Sequence, residues 1–472
     1  MEDLRIQKAV RGGAFVLANQ IAGMAIAALT AFLISRAIGP HTFAVLALCS
    51  SMSTVTQPLS RLGINAFLIT RDYAPTDEEY QVALTSMLCG SIATGIVTIS
   101  LLPIIQWIAH TSGLFWPGVA TMALLPLHVL SLPAVTRLER ELNYRALTRI
   151  EFMAQLFGPG IGIILVLAGW GIWGMIIGWF ARSLLGTIAP WIVIRTRPQF
   201  GWNPSLARSM FKYGSQYLVS STFDQSRHLI VLLAVGRTLG QEAVGHFEVA
   251  LRAIRLITPI RAVAGRVALP AMAPITGSNP SIRAATEPII ETEVLLTIPF
   301  TLLAVYAYPL CAHLILGKAW LPTISIVPWL AAGAILAAPH ACALSLLHLK
   351  GHFRESISAN LLTVSVLALT AFTLGHLFGL IGCAASQIAI WPTLWLREWM
   401  VWRRFGNQSS RNGIIWALGG ACACFAVLYG GWFLLPIAFI SKETFPSILN
   451  RVKSIVKFEN DSLASDAITE LS

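Results

Sequence analysis

Charged side chains stand in the most apolar part of this sequence. Two hydrophobic stretches follow one another between Phe211 and Pro270. Asp224, Arg227 and His228 lie deep in the first, and Arg252 and Arg255 lie deep in the second. Each stretch is long enough to cross a bilayer, which takes about 20 residues. An ionised group at that depth costs about 2.5–3.5 kcal/mol or more, so such groups face a bundle interior or a wet cavity. Clustered guanidinium groups there would make a cationic site near the bilayer midplane, able to hold an anion. The alternative is a buried ion pair that only locks two helices together.

The helices that must position these residues meet at a turn between Gly236 and Glu242, and so run antiparallel. Equal rise on both sides brings Asp224 level with Arg255, and Arg227 level with Arg252. Arg252 and Arg255 are three apart and share a helix face. Arg266 returns to that face, whereas Arg261 falls off it unless Pro259 bends the helix. On this reading Asp224 is the one deep carboxylate, so the arginines outnumber the acid that could neutralise them. Asp224 and His228 are then the candidates for ion coupling. Arg182, midway along an earlier apolar segment, adds a further deep charge. Arg61 and Arg266 fall near the ends of their segments, at a cytoplasmic mouth where an incoming anion would first arrive.

The composition requires a membrane setting. Hydrophobic residues make up 56% of the chain and charged residues 12%, against about 25% charged in a soluble domain. This predicts an all-α polytopic membrane protein. Apolar segments fall at 14–37, 42–62, 82–109, 115–135, 150–168 and 171–194, then at 211–235, 243–266, 288–316, 323–347, 357–377 and 380–401. The expected plan is a basic N-terminus (1–13), a six-helix lobe (14–194), a linker (195–210) and a second six-helix lobe (211–401). A thirteenth helix follows within 402–440, read as one span, and then an amphipathic, polar tail at 441–472. The seven cysteines all lie in apolar segments without metal-ligand spacing, so no metal or other cofactor is expected.

The formal charge of +11 does not call for nucleic acid. With the N-terminus inside, twenty Lys and Arg fall on the inner side, against Arg36, Arg237 and Lys318 outside. That bias predicts a cytoplasmic N-terminus. The two lobes also echo each other. Arg36-Ala-Ile-Gly39 answers Arg237-Thr-Leu-Gly240, Asn143-Tyr-Arg145 answers His352-Phe-Arg354, and Gly171-Ile-Trp-Gly174 answers Gly379-Leu-Ile-Gly382. The offsets of 201, 209 and 208 keep nearly one register. Six helices per repeat predicts parallel repeats about an axis along the membrane normal, with a site between them. The pairs Gly158 with Gly162 and Gly174 with Gly178 suit close helix packing.

Several stretches resemble the polysaccharide transporter (Wzx-type) family of the multidrug/oligosaccharidyl-lipid/polysaccharide exporter superfamily. They are RGGAFVLANQ, ISRAIGPHTFAVLAL and SRLGINAFLITR near the start, then LERELNYRALTRIEF with LAGWGIWGM, and VGRTLGQEAVGHFEVALRAI. The resemblance covers about residues 10–400. It implies a flippase that moves an undecaprenyl-diphosphate-linked oligosaccharide from the cytoplasmic to the outer leaflet by alternating access between two lobes, for export of a surface polysaccharide. It also implies the bacterial cytoplasmic membrane, with a polysaccharide polymerase or export machinery as a partner. Arg61 and Arg252 occupy places where related lipid II flippases carry functional arginines. His246-Phe247 departs from the family's usual aromatic pair, and no charge lies deep in helix one.

Guanidinium binds phosphate oxygens through paired, charge-assisted hydrogen bonds, so Arg252, Arg255, Arg227 and Arg182 suit a diphosphate. Two other readings stay open. A multidrug/cation antiporter would line its site with carboxylates. A membrane polymerase or glycosyltransferase acting on the same lipid-linked sugar would need a sizeable outer loop or a catalytic acid pair.

Overall fold

A computed structural model describes residues 2–64, 67–68, 75–141, 143–256, 279–349, 351–406, 410–437 and 440. These residues are helical with short connections, and there is no strand among them. Helix α1 (Glu2–Arg61) is two limbs that reverse at Gly39. It is followed by α2 (Asp77–Ile108) and by a broken rod, α3 (Phe115–Met122), α4 (Leu125–Leu130) and α5 (Leu132–Arg140). The rod breaks where Pro126 and Pro133 enter the first turns of α4 and α5, positions that tolerate a missing N–H. Helix α6 (Tyr144–Leu165) runs through a π-helical turn, Val166–Trp170, into α7 (Gly171–Ile194).

The C-terminal half begins with α8 (Pro204–Leu239) and α9 (Gln241–Arg255), then α10 (Asn279–Cys311). Helices α11 (Val327–Ala337) and α12 (Ala341–Leu349) are split by a 3₁₀ turn at Ala338–His340 that contains Pro339. Helix α13 (Phe353–Ala389) reverses at Gly379 and leads to α14 (Trp391–Phe405), then α15 (Arg411–Cys424) and α16 (Ala426–Tyr429). Among the described residues, eight stretches are long and apolar enough to cross a membrane. Three of them, Thr30–Arg61, Arg145–Ile194 and Phe353–Phe405, contain a glycine reversal. Helices α8 and α9 are not among the eight. Charged and polar residues lower the hydropathy of α8, and the described part of α9 is only 15 residues long; α8 packs along α13 while α9 packs along α1.

Helix starts follow local chemistry. Thr76 and Glu79 form a capping box ahead of α2, each side chain bonding the other's backbone N–H at 3.2 and 2.8 Å. Asn203 caps α8, with Pro204 in its first turn. The expected linker of 195–210 is therefore shorter, because α8 starts seven residues before 211. The last apolar segment differs as well. It is not one straight pass to 440, because the chain turns at Gly430 (φ 102°) and brings Ile437 and Ile440 back against Gly419.

The sequence echoes are echoes of backbone geometry. Gly39 (φ 73°, ψ 169°) and Gly240 (φ 85°, ψ 179°) make the same reversal. Gly171 (φ 51°, ψ −132°) and Gly379 (φ 62°, ψ −140°) make another, in a region that side-chain-bearing residues rarely adopt. Asn143 (φ −81°, ψ 55°) and His352 (φ −82°, ψ 58°) open equivalent helices. Each donates its N–H to the carbonyl five residues back, Leu138 at 2.9 Å and Leu347 at 2.8 Å.

The two halves meet at both ends. At the end with the Gly39 and Gly240 turns, an Arg36 Nη donates to the Ile315 carbonyl at 3.0 Å, and the equivalent Arg237 bonds His110. Between them, Gln241 accepts from the Ser112 N–H at 2.8 Å and donates to the His41 carbonyl at 2.9 Å. At the opposite end Gly63 and Gly214 touch backbone to backbone, so that a Cβ on Gly63 would lie 2.3 Å from the Gly214 oxygen. Polar groups join α8 to α13. The Ser220 hydroxyl lies 2.6 Å from that of Ser356, and Asn360 donates to the Ser220 carbonyl at 3.1 Å. In lipid such bonds assist association that packing alone must otherwise supply.

The glycine pairs read from sequence do pack, across the α6–α7 seam. A Cβ on Gly178 would stand 2.6 Å from the Gly158 oxygen and 2.9 Å from the Gly162 Cα, whereas a Cβ on Gly160 meets nothing within 4 Å. Gly178→Ala is therefore expected to lower the melting temperature of the purified protein, an overpacking cost of about 1–3 kcal/mol. Gly160→Ala should leave it unchanged, and equal melting of both variants would contradict the seam.

Candidate functional site: an arginine-lined cavity

Past the Gly240 turn, α9 folds back along α8 and brings His228 to Glu248, with Nε2 and Oε2 2.6 Å apart. The other oxygen of Glu248 accepts from Arg252 Nε at 2.7 Å, one helical turn further on. Arg252 also reaches α1. One Nη donates to the Ser50 hydroxyl at 3.3 Å, and the guanidinium carbon lies 4.9 Å from the Phe43 ring centre. Glu248 itself is 2% exposed. A carboxylate so enclosed persists only with paired charges and hydrogen bonds, and here both oxygens have them.

Ser50, His228, Glu248 and Arg252 form one wall of a cavity of about 430 Å³, which Asp224, Arg227, Arg255, Thr54, Gln225 and Gln387 also line. Asp224 and Arg227 pair more loosely along α8, at 3.7 Å, and both remain partly open. Arg255 is exposed and lies in the field of Glu248, Arg252 and Arg227. It makes no direct hydrogen bond among the described residues. Three arginines thus face two carboxylates, and the excess of one positive charge falls where a guanidinium is uncommitted.

A second cavity, of about 640 Å³, lies between α1, the broken rod, α6 and α7. Arg182 is here, with Glu151 as its opposite charge and with His128 and Ser183 beside it. Ser50, Thr54 and Arg252 line both cavities.

The structure therefore brings together Asp224, Arg227, His228, Arg252 and Arg255, and places Arg182 in the adjoining cavity. Arg61 stands apart from the first cavity, beside the Gly63–Gly214 contact, where Tyr217 and Glu139 act on it. Arg266 lies outside the described residues. Asp224 is not the sole deep carboxylate: Glu248 is deeper and better paired. Its signal in the sequence was its place four residues before Arg252, the spacing of a helical ion pair. Another buried set was also passed over. Glu398 and the His340 ring meet at 2.7 Å, and Arg397 donates to the His340 carbonyl at 3.0 Å. Arg397 feels the charges of Arg227 and Asp224, so this set backs the first cavity.

The geometry ranks the two carboxylates. Removing a partner from a buried pair costs about 3–5 kcal/mol, against about 1 kcal/mol or less for an open one. Glu248→Gln should therefore melt well below wild type while Asp224→Asn melts close to it. Equal melting temperatures would show that the Glu248 network does not hold α8 to α9.

Comparison with known proteins agrees with this architecture. The family described as "Polysaccharide biosynthesis protein" matches residues 33–325. The chain is 24% identical over 202 residues to the teichuronic acid biosynthesis protein TuaB of Bacillus subtilis, covering 42% of each chain. It is 25% identical over 222 residues to the amylovoran biosynthesis protein AmsL of Erwinia amylovora, covering 44% of this chain and 55% of that one. The chain thus spans about half the length of the curated relatives it matches. Among solved structures, the lipid II flippase MurJ in an inward closed conformation superposes with a TM-score of 0.62 at 14% identity, over 97% of this chain and 100% of that one. The likeness shows a shared all-helical, polytopic membrane fold. With the family matching more than half of its length, this chain belongs to the polysaccharide biosynthesis protein family.

Proposed function

We propose that the protein is a flippase that carries an undecaprenyl-diphosphate-linked oligosaccharide from the cytoplasmic to the outer leaflet, for export of a surface polysaccharide. The observation that carries this reading is the excess of arginine over carboxylate in one internal cavity. A diphosphate is the part of such a lipid that a bilayer rejects most strongly, and guanidinium forks are its natural counter-ions. Family membership supports a polysaccharide precursor, and the fold shared with a lipid II flippase supports transport of a lipid-linked one.

The roles divide by pairing. Arg252 is held by Glu248, Ser50 and Phe43, so its fork is oriented before ligand arrives. Arg255 supplies free donors, and Arg227 can leave its loose contact with Asp224 to join them. Asp224 and His228 are then the groups whose surroundings change most on loading, which makes them the candidates for ion coupling. Arg61 would meet the head group at the cytoplasmic end, with the N-terminus on that side and the two matched halves rocking as lobes. Both carboxylates of the cavity already have cationic partners, which disfavours the cation-antiporter reading.

A lysine keeps the charge but loses the fork. At matched membrane abundance, at least one of Arg252→Lys and Arg255→Lys should fold normally yet lose flipping activity by roughly tenfold, the equivalent of one charge-assisted hydrogen bond of about 1.5 kcal/mol. Flipping is read as the appearance of lipid-linked oligosaccharide in the outer leaflet of proteoliposomes. Full activity in both variants, with normal insertion, would sink the assignment.

A further inference from the structure

We propose that the second cavity is a sugar subsite, which holds the glycosyl residue next to the diphosphate, and that Arg182 acts there and not on the phosphates. This deepens the proposed function and rests on it.

The lining has the chemistry of carbohydrate recognition. Gln57, Gln155, Glu151 and Ser183 offer donors and acceptors, Trp179 offers a flat apolar face, and Arg182 offers a fork. A pyranose needs both kinds of surface, since its hydroxyls each donate and accept while its C–H faces are apolar. The far sides of α6 and α7 are apolar, with Ile164 on α6 and Phe180 and Ile188 on α7 exposed. Polar groups gathered on one face of helices at membrane depth are costly unless they serve a cavity.

Position and charge point the same way. Ser50, Thr54 and Arg252 line both cavities, so the two adjoin, and a diphosphate gripped in the first has its glycosyl bond beside the second. Each volume, about 430 and 640 Å³, lies within the range of about 300–1,000 Å³ usual for small-ligand sites. In the second cavity Arg182 is offset by Glu151, so the compartment adds no net charge of its own and suits a neutral sugar better than another phosphate. The groups are also held in place. The His128 ring fixes the Ser183 hydroxyl at 3.0 Å. Gly158 lets α7 approach so closely that a Cβ there would lie 2.5 Å from the Arg182 Cβ.

The test compares binding of farnesyl diphosphate with farnesyl diphosphate carrying one glucose, galactose or N-acetylglucosamine, by calorimetry on the full-length protein in detergent. Wild type should bind at least one glycosylated probe about tenfold more tightly than the bare one. Gln57→Leu and Gln155→Leu, which keep side-chain size, should hold bare-probe affinity within about twofold and lose most of the sugar gain. Arg252→Lys should weaken every probe alike. Normal binding of the bare probe with no gain from any of the three sugars would overturn the subsite, as would variants that weaken bare and glycosylated probes equally. Failure of wild type to bind the bare diphosphate would strike instead at the proposed function.

Discussion

The buried carboxylate of Glu248 is the constraint around which the rest is arranged. It is 2% exposed, so its two oxygens must be met chiefly by protein. His228 on α8 and Arg252 on α9 meet one each. That arrangement ties to each other two helices with little hydrophobic driving force of their own. It also aims the remaining Arg252 donors at Ser50 on α1 and into the cavity. Without it, α8 and α9 would be two charged helices with little reason to stay inside the membrane. With it, their charges face inward while α13 and α1 cover their other sides.

Close packing elsewhere serves the same end. The glycine seam between α6 and α7 lets two helices approach to backbone contact, so that their polar residues share one cavity. Across the cavity, α8 is fastened to α13 by the Ser220, Ser356 and Asn360 bonds. The cavities are therefore bounded by seams that differ in kind: small residues on one side, hydrogen bonds on the other. Neither seam depends on the hydrophobic effect, which offers little between helices already surrounded by lipid.

Much of this was legible in the chain. Long apolar runs mark the spans, and the glycine and Asn/His echoes mark turns whose dihedral angles agree closely. Antiparallel rise around the Gly240 turn was enough to group Asp224, Arg227, Arg252 and Arg255. The errors have physical causes. The hydrophobic run hid the start of α8, although Asn203-Pro204 is a helix-start signal. Glu248 was missed because α9 is amphipathic and its acid resembles a surface residue until its partner on α8 is known. The place of Arg182 depends on how α6, α7 and α1 come together, a relation between segments distant in sequence.

The two clasps at the end with the Gly39 and Gly240 turns carry a mechanical consequence. Arg36 and Arg237 occupy equivalent positions, and each reaches across to the other half, to Ile315 and His110. Because both clasps lie at the same end of the helices and join the same two halves, any tilt that parts that face loads both together. One clasp cannot be relieved by leaning on the other. The face is in this sense a latch with two bolts on one bar: parting it requires both bonds to break.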